Sequence, residues 1–427
     1  MKMSNSSVLR LALAAGAACA SFAAAQPAFE YNVDVIEQPA NGFALYPNAI
    51  NNQGVVVGWW YGSPVTNRHP FIYSQAAGYA QLPKPAGFEH SEAIDINDGG
   101  VIVGMAMPTW SSETTPRGWK LENGQFSMYT AYSRAVGINN SGLIVGKSCI
   151  DASLGNFSCF FTSTQPPAMD TFPGAGGYGA SMWNHIFVNN LGEMAYTTAG
   201  NAAVFKDAQG VVHPLPPPPS GWTGIRVDGV NDQGQVIARW TRSVTSSSSI
   251  RRYSRGFLWS VETGAQLFDR PEGSVRPKGI NNLGQVLLET GGHDQQYFDT
   301  WVWTAETGSR NLEPIIDPAM QIIMTDLYAI NDNGQIVAGG ISQAPPAGNV
   351  YVVLNPVTPP APTCDSVDFN GDGLFPDNQD LEDFLSVFGG GPCSTGTCGD
   401  VDFNNDGLFP DNADMEAFFS VFGGGAC

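Results

Sequence analysis

Seven ten-residue segments of one pattern recur along this chain, and they limit its fold more than any other feature. They are AINNQGVVVG (49–58), DINDGGVIVG (95–104), GINNSGLIVG (137–146), FVNNLGEMAY (187–196), GVNDQGQVIA (229–238), GINNLGQVLL (279–288) and AINDNGQIVA (329–338). The successive spacings are 46, 42, 50, 42, 50 and 50 residues. Asn51, Asn97, Asn139, Asn189, Asn231, Asn281 and Asn331 hold one place in the pattern; Gly54, Gly100, Gly142, Gly192, Gly234, Gly284 and Gly334 hold another. A period this long marks supersecondary units, each burying its apolar face against its neighbours.

The local chemistry is that of a hairpin. An apolar residue ends one strand, an Asn/Asp-x-Gly turn reverses the chain, and a Val/Ile run resumes. Glycine supplies the left-handed position such a turn needs. A second hairpin follows in most units, clearest in HPFIYSQAAGYAQLP (69–83), GFLWSVETGAQLFD (256–269) and TWVWTAETGSRNLEP (300–314). Four short strands every 40–50 residues form a propeller blade. The last unit has a single strand after its signature, NVYVVLNPV (349–357), and the chain begins with an unpaired one, FEYNVDVIEQP (29–39). The second completes the first and removes the sheet edges. The expectation is an all-β, seven-bladed propeller over residues 26–355, closed by the N-terminal strand. A β-solenoid, the competing arrangement, needs no complementary ends.

On these segments the chain resembles the HAF family of extracellular repeats, whose motif is an Ile-Asn-x-x-Gly turn before a Val/Ile strand. The resemblance covers most of residues 29–357. It implies export and a propeller-like fold, and it implies no particular activity.

Residues 1–25 read as a signal peptide: Lys2 and Arg10 start it, Leu11 to Ala18 is apolar, and Ala23-Ala24-Ala25 offers a cleavage site. The expected location is therefore secreted, extracellular or attached to the cell surface. No later stretch is long and apolar enough for a transmembrane helix. The formal net charge of −20 argues against nucleic-acid and anionic-membrane partners. Residues 356–363, Pro-Val-Thr-Pro-Pro-Ala-Pro-Thr, form a stiff linker. Beyond it, residues 364–427 hold 13 Asp and Glu and no Lys or Arg.

This tail carries one calcium-loop signature twice, 34 residues apart. Calcium takes six to eight hard oxygen ligands from a flexible loop, with a glycine at the sharp turn. Asp368, Asn370 and Asp372 fill the first ligand places, Gly373 makes the turn, and the Leu374 carbonyl follows. Pro376 lengthens the loop by one, so Asp377 and Asp380 complete the set. Asp402, Asn404, Asp406, the Leu408 carbonyl, Asp411 and Asp414 repeat it. Leu381, Phe384, Leu385 and Phe388 then fall at helical spacing, copied by Met415, Phe418, Phe419 and Phe422. Two Ca2+ ions are expected in a small helical module. Phe384, Phe388, Phe418 and Phe422 are expected partly to pack together and partly to offer a partner an apolar patch. The tail resembles a dockerin, most closely the GC-type tail of bacterial exported proteins. That resemblance implies a cohesin-like or other envelope protein as partner.

Six cysteines remain outside the signal peptide, an even number that points to disulfides in an exported chain. Cys364 to Cys393 and Cys398 to Cys427 each span 29 residues, so repeat-wise closure is the simplest pairing, with Cys149–Cys159 across a hairpin. No CxxC spacing suggests zinc. The chain has no G-x-S-x-G, no HExxH and no P-loop, and its five histidines show no metal spacing. The expected function is a non-catalytic binding or scaffold propeller, with a glycan as candidate ligand. The alternative is a polysaccharide-active hydrolase or lyase carried on the same tail.

Overall fold

The computed structural model describes residues 30–37, 44–62, 67–109, 116–148, 159–173, 186–198, 202–245, 250–268, 274–291, 298–344, 347–357, 365–373, 377–396, 398–399, 401–403 and 412–423. The chain divides into two compact units, Phe29–Val357 and a second that holds Thr358–Cys427.

The larger unit begins with β1 (Tyr31–Ile36). Blade one is β2 (Leu45–Ile50), β3 (Val56–Tyr61), β4 (Arg68–Ser74) and β5 (Gly78–Gln81). Blade two is β6 (His90–Ile96), β7 (Ile102–Met107), β8 (Arg117–Glu122) and β9 (Gln125–Ala131). Blade three is β10 (Ser133–Ile138), β11 (Ile144–Ser148), β12 (Cys159–Ser163) and β13 (Asp170–Pro173). Blade four is β14 (Ile186–Val188), β15 (Met194–Thr197), β16 (Ala203–Lys206) and β17 (Val212–Pro214). Blade five is β18 (Gly224–Val230), β19 (Val236–Thr245), β20 (Ile250–Ser260) and β21 (Gly264–Leu267). Blade six is β22 (Ser274–Ile280), β23 (Val286–Gly291), β24 (Asp299–Thr304) and β25 (Gly308–Asn311). Blade seven is β26 (Ile322–Ile330), β27 (Ile336–Ser342) and β28 (Gly348–Pro356), and β1 is its fourth strand.

Each blade is a four-stranded antiparallel sheet, in chain order in blades one to six and as β26-β27-β28-β1 in blade seven. Strand β1 lies antiparallel to β28, from Tyr31 opposite Pro356 to Ile36 opposite Tyr351. The two ends of the unit thus share one sheet, which closes the circle and leaves only the short outer strand of each blade as an edge. The first strands of the blades touch their neighbours all the way round, so they surround the axis.

The signature makes each inner hairpin. In blade one the Gly54 N–H bonds the Asn51 carbonyl at 3.0 Å, and Gly54 sits at φ +73°. An L side chain there would be strained, which is why glycine recurs at this place. The last signature residue is glycine in blades one to three for another reason. A Cβ on Gly104 would lie 2.0 Å from the Glu92 carbonyl oxygen and 2.5 Å from the Trp119 ring. Between blades, apolar residues of facing sheets form the cores; Trp119, Phe71, Phe161 and Phe257 are fully buried. Arg251, Arg252 and Arg255 lie in strand β20, opposite residues of β19.

In the smaller unit α1 (Asn378–Phe388) and α2 (Asn412–Phe422) follow the two loops. Its core is built by pairs of residues one repeat apart: Val367 with Val401, Phe369 with Phe403, and Phe384 with Phe418. Phe384 and Phe418 stack at 3.9 Å, nearly parallel. Among the described residues no helix is long and apolar enough to cross a membrane.

Candidate functional sites

The first site is the loop before α1. Asp368 takes the Gly373 N–H on Oδ2 at 3.1 Å, while its Oδ1 is buried without a hydrogen-bond partner. Asn370 is buried and takes the Asp372 N–H at 3.0 Å. Gly371 and Gly373 both have left-handed φ, at +69° and +80°. Asp377 caps α1, accepting from the N–H groups of Gln379 and Asp380. Asp380 returns a bond to the Asp377 N–H at 3.0 Å and takes the Asn370 N–H at 3.3 Å. Asp380 and its repeat copy Asp414 are both 0% exposed. Asp402 is also described; Leu374, Asn404, Asp406, Leu408 and Asp411 lie outside the described residues.

These residues fit a hard cation. A buried carboxylate is costly unless paired or metal-bound, and the tail holds no Lys or Arg to pair with. The orphaned Asp368 oxygen and the buried Asp380 converge on one loop. Asp383 is a member of this site that sequence reasoning missed. It is 3% exposed and accepts from the Ser394 N–H at 2.8 Å, the Ser394 hydroxyl, Gln379 and Asn370. The Ser394 hydroxyl, above all, holds its carboxyl below the ordinary aspartate value. The available signal was a mismatch between the repeats: the residue 34 places on is Ala417.

Two expectations are corrected here. Phe384 and Phe418 are 0% exposed and form the core, not a partner surface; Phe388 and Phe422 pack partly buried against them. The large apolar residues exposed on the helices are Leu385 and Phe419, again one repeat apart. The cysteine pairing differs as well. Cys393 bonds Cys398, with Cα atoms 5.8 Å apart, which excludes Cys364–Cys393 and Cys398–Cys427. The equal 29-residue spacings follow from the 34-residue duplication itself, not from bonding. After α1 the chain is turned back by Asp383 on Ser394, by Thr395 on the Asn370 carbonyl, and by Gly399 on the Phe369 carbonyl, which brings the two sulfurs together. Cys364 and Cys427 lie outside the described residues. Cys159 is a buried free thiol, so Cys149–Cys159 is absent too. The residue directly across from Cys159 is Ser148, and Cys149 lies outside the described residues.

The second site is the axial mouth formed by the seven turns, a cavity of about 210 Å³. Two rings of hydrogen bonds encircle it. In the first, each signature Asn donates its side-chain N–H to the carbonyl of the next one: Asn51 to Asn97, Asn97 to Asn139, Asn139 to Asn189, Asn189 to Asn231, Asn231 to Asn281 and Asn281 to Asn331, all at 2.9–3.1 Å. Asn331 returns to Asn51 at 2.9 Å. In the second, the backbone N–H of the following residue donates to the next blade's side-chain oxygen, from Asn52 to Asp98 and round to Asp332 on Asn52. Asp98, Asp232 and Asp332 each accept from one backbone N–H and two flanking amides. The repeated Asn therefore form turns, as expected, and also bind blade to blade. The carboxylates at this mouth are already satisfied.

The third site lies at the opposite end of the inner strands. Five positions before six of the seven signature Asn stand Tyr46, Glu92, Arg134, Arg226, Arg276 and Asp326; the seventh such residue, Asn184, lies outside the described residues. Their cross-strand partners include Trp59, Lys147, Arg239 and Glu289. Tyr46 stacks on Trp59 at 4.1 Å, and the Arg68 guanidinium lies over the Trp59 ring at 4.4 Å. Arg68 pairs with Glu92, Arg239 with Asp228 at 3.2 Å, and Lys278 with Glu289 at 3.1 Å. The Arg242 guanidinium lies over the Trp222 ring at 5.2 Å.

These strands and rings define a seven-bladed β-propeller. Solved structures with a similar trace include a streptogramin B lyase, 12% identical over 76% of this chain and 98% of its own, with a TM-score of 0.48. An inactive virginiamycin B lyase from Staphylococcus aureus, solved with quinupristin, is 10% identical over 77% of this chain and 100% of its own, at 0.49. The WD40 propeller domain of Doa1 is 12% identical over 77% and 97%, at 0.42. No protein-family profile matches the chain, and no curated protein matches it. The blade count rests on the strand pairing alone.

Proposed function

We propose that this chain is an exported, non-catalytic binding propeller, attached to a cell-surface or extracellular complex through a calcium-dependent tail. One observation carries the reading. Asp380 and Asp414 are wholly buried, one repeat apart, in a segment without Lys or Arg, beside an Asp368 oxygen with no partner. Calcium would supply the missing positive charge. Asp368, Asn370, Asp372, Asp377 and Asp380 with the Leu374 carbonyl would hold one ion; Asp402, Asn404, Asp406, Asp411 and Asp414 with the Leu408 carbonyl would hold the second. The signal-like N-terminus and the Cys393–Cys398 bond support export. The Leu385 and Phe419 side chains support a docking role for the tail, because metal-bound loops would fix both helices.

Calorimetric titration of the full chain with Ca2+ tests the reading. About two sites are expected, in the micromolar-to-millimolar range of such loops, and both are lost in Asp380→Asn/Asp414→Asn. Deletion of residues 364–427 should release the propeller from the producing cell's envelope while leaving it folded. Absence of calcium heat, or a truncated protein that stays attached, sinks the proposal.

A further inference from the structure

Blade five carries the two longest strands among the described residues, β19 and β20. Their ladder runs on to Thr245 opposite Ile250, whereas β18 reaches only Thr241 and β21 only Phe257. A two-stranded hairpin therefore projects past the blade, at the end away from the signature turns. Residues 233–261, which include it, hold five Arg and no Lys, Asp or Glu, in a chain whose net charge is −20. Side chains directly opposite across a ladder share one face, and they alternate along each strand. Arg242 stands opposite Tyr253, Val244 opposite Arg251 and Trp240 opposite Arg255, so Arg242, Arg251, Tyr253 and Arg255 lie on one face. The Arg242 guanidinium is 5.2 Å from the Trp222 ring centroid and 4.8 Å from that of Tyr253, and its Nε is buried without a hydrogen-bond partner. The two rings hold this cation in place without neutralising it. Arg251, Arg252 and Arg255 are exposed, and Trp222 and Tyr253 are half-buried. Along β20 this face thus presents a cation, a ring and a cation at steps of about 7 Å. That order suits an extended ligand in which carboxylates alternate with C–H faces, as in a chain of sugar acids; a single small anion would meet one Arg at a time. The planar fork of Arg takes a carboxylate through two parallel hydrogen bonds, and an aromatic ring offers an apolar face.

We propose that the projecting β19–β20 hairpin of blade five binds a polysaccharide that carries carboxylates along its length. The inference rests on the binding role proposed for the propeller and stands apart from the tail, whose calcium dependence would survive its failure. The overall charge repels a polyanion, so capture of one requires a surface where positive charge is gathered, as it is here.

The test uses the full chain in EDTA, so that its outcome does not depend on calcium. Polygalacturonate, neutral dextran and polyglutamate are immobilised in turn, and capture is read by interferometry at low and high salt. Polygalacturonate is expected to capture the protein at low salt and to lose it at high salt; dextran and polyglutamate are not expected to capture it. Arg251→Gln/Arg252→Gln/Arg255→Gln, three exposed changes, should weaken capture about tenfold or more with the melting temperature unchanged. Arg255→Gln alone, which serves if the triple variant unfolds, should weaken it about two- to fivefold. No capture by polygalacturonate, equal capture by dextran or by polyglutamate, or unchanged capture in the variants overturns the proposal.

Discussion

The side-chain N–H of Asn331 donates to the carbonyl of Asn51 at 2.9 Å, across 280 residues of chain. The bond completes a seven-membered ring in which every blade holds the next by the same contact. Each of these Asn also takes backbone N–H groups of its own turn on Oδ1, as Asn331 does from Asn333 and Gln335. One side chain thus shapes the hairpin and fastens the neighbour. Because the ring is closed, its last bond forms only when the two ends of the propeller have met.

Asn331→Ala leaves a buried carbonyl and two N–H groups short of partners. A loss of about 1–3 kcal/mol is expected, read by urea unfolding. Asn282→Ala, in the second ring with a more exposed side chain, should cost less. Equal costs would argue against a special role for the first ring.

Asp95 takes the N–H groups of Ile96 and Ile138, the second from the next blade. Asp95 is half-buried between blades two and three. Burial lifts its carboxyl from 3.8 to about 7, against the lowering effect of both hydrogen bonds. Between those values the folded chain binds more protons than the unfolded one, so this group's contribution to stability falls as pH rises from about 4 to about 7. The span is on the order of a few kcal/mol. Asp95→Asn should flatten that slope in urea titrations; an unchanged slope would refute the assignment.

Gly104→Ala drives a methyl group into the Glu92 carbonyl and the Trp119 ring. Overpacking of this kind costs about 1–3 kcal/mol or more. Gly124→Ala, whose Cβ meets nothing within 4 Å but whose φ is +75°, carries backbone strain alone. Comparison of the two by thermal unfolding separates overpacking from backbone strain, and Gly104→Ala is expected to be the worse.

Phe384→Ala removes half of the central stack and should cost the tail about 3–5 kcal/mol. Leu385→Ala, at an exposed site, should cost under about 0.5 kcal/mol. If attachment uses the exposed pair, Leu385→Ala with Phe419→Ala weakens capture without unfolding the tail. Circular dichroism and envelope binding, measured together, decide it.

Asp383→Ala frees Asn370 and Ser394 at once. The loop loses its brace, and calcium affinity of the first site should fall about 10–100-fold, while the second site, with Ala417 in the equivalent place, is unaffected. Equal loss at both sites in a calcium titration would count against this role.

Much of the propeller was legible because its information is local and repeated. The Asn-x-x-Gly turns, the Val/Ile runs after them and the two lone terminal strands specified hairpins, blade number and closure. The charged layer was not legible. Arg134, Lys147, Arg226 and Arg239 are unremarkable in the sequence, and only the register of β10 on β11 and β18 on β19 sets them opposite one another. Asp383 was hidden likewise, since nothing local reports that Ser394 returns to it.

The amino-acid order by itself determined seven hairpin-bearing units, complementary ends and two phased loop–helix segments, since each depends on residues within one turn or one strand. The tertiary structure alone decided that the Asn amides reach the next blade, that Phe384 stacks on Phe418 inside the tail, and that Cys393 takes Cys398 instead of its predicted partner. The first two depend on distances between segments far apart in the chain, and the third on how the chain turns back after α1. Spacing along a sequence constrains such distances only after the sheets and helices have packed.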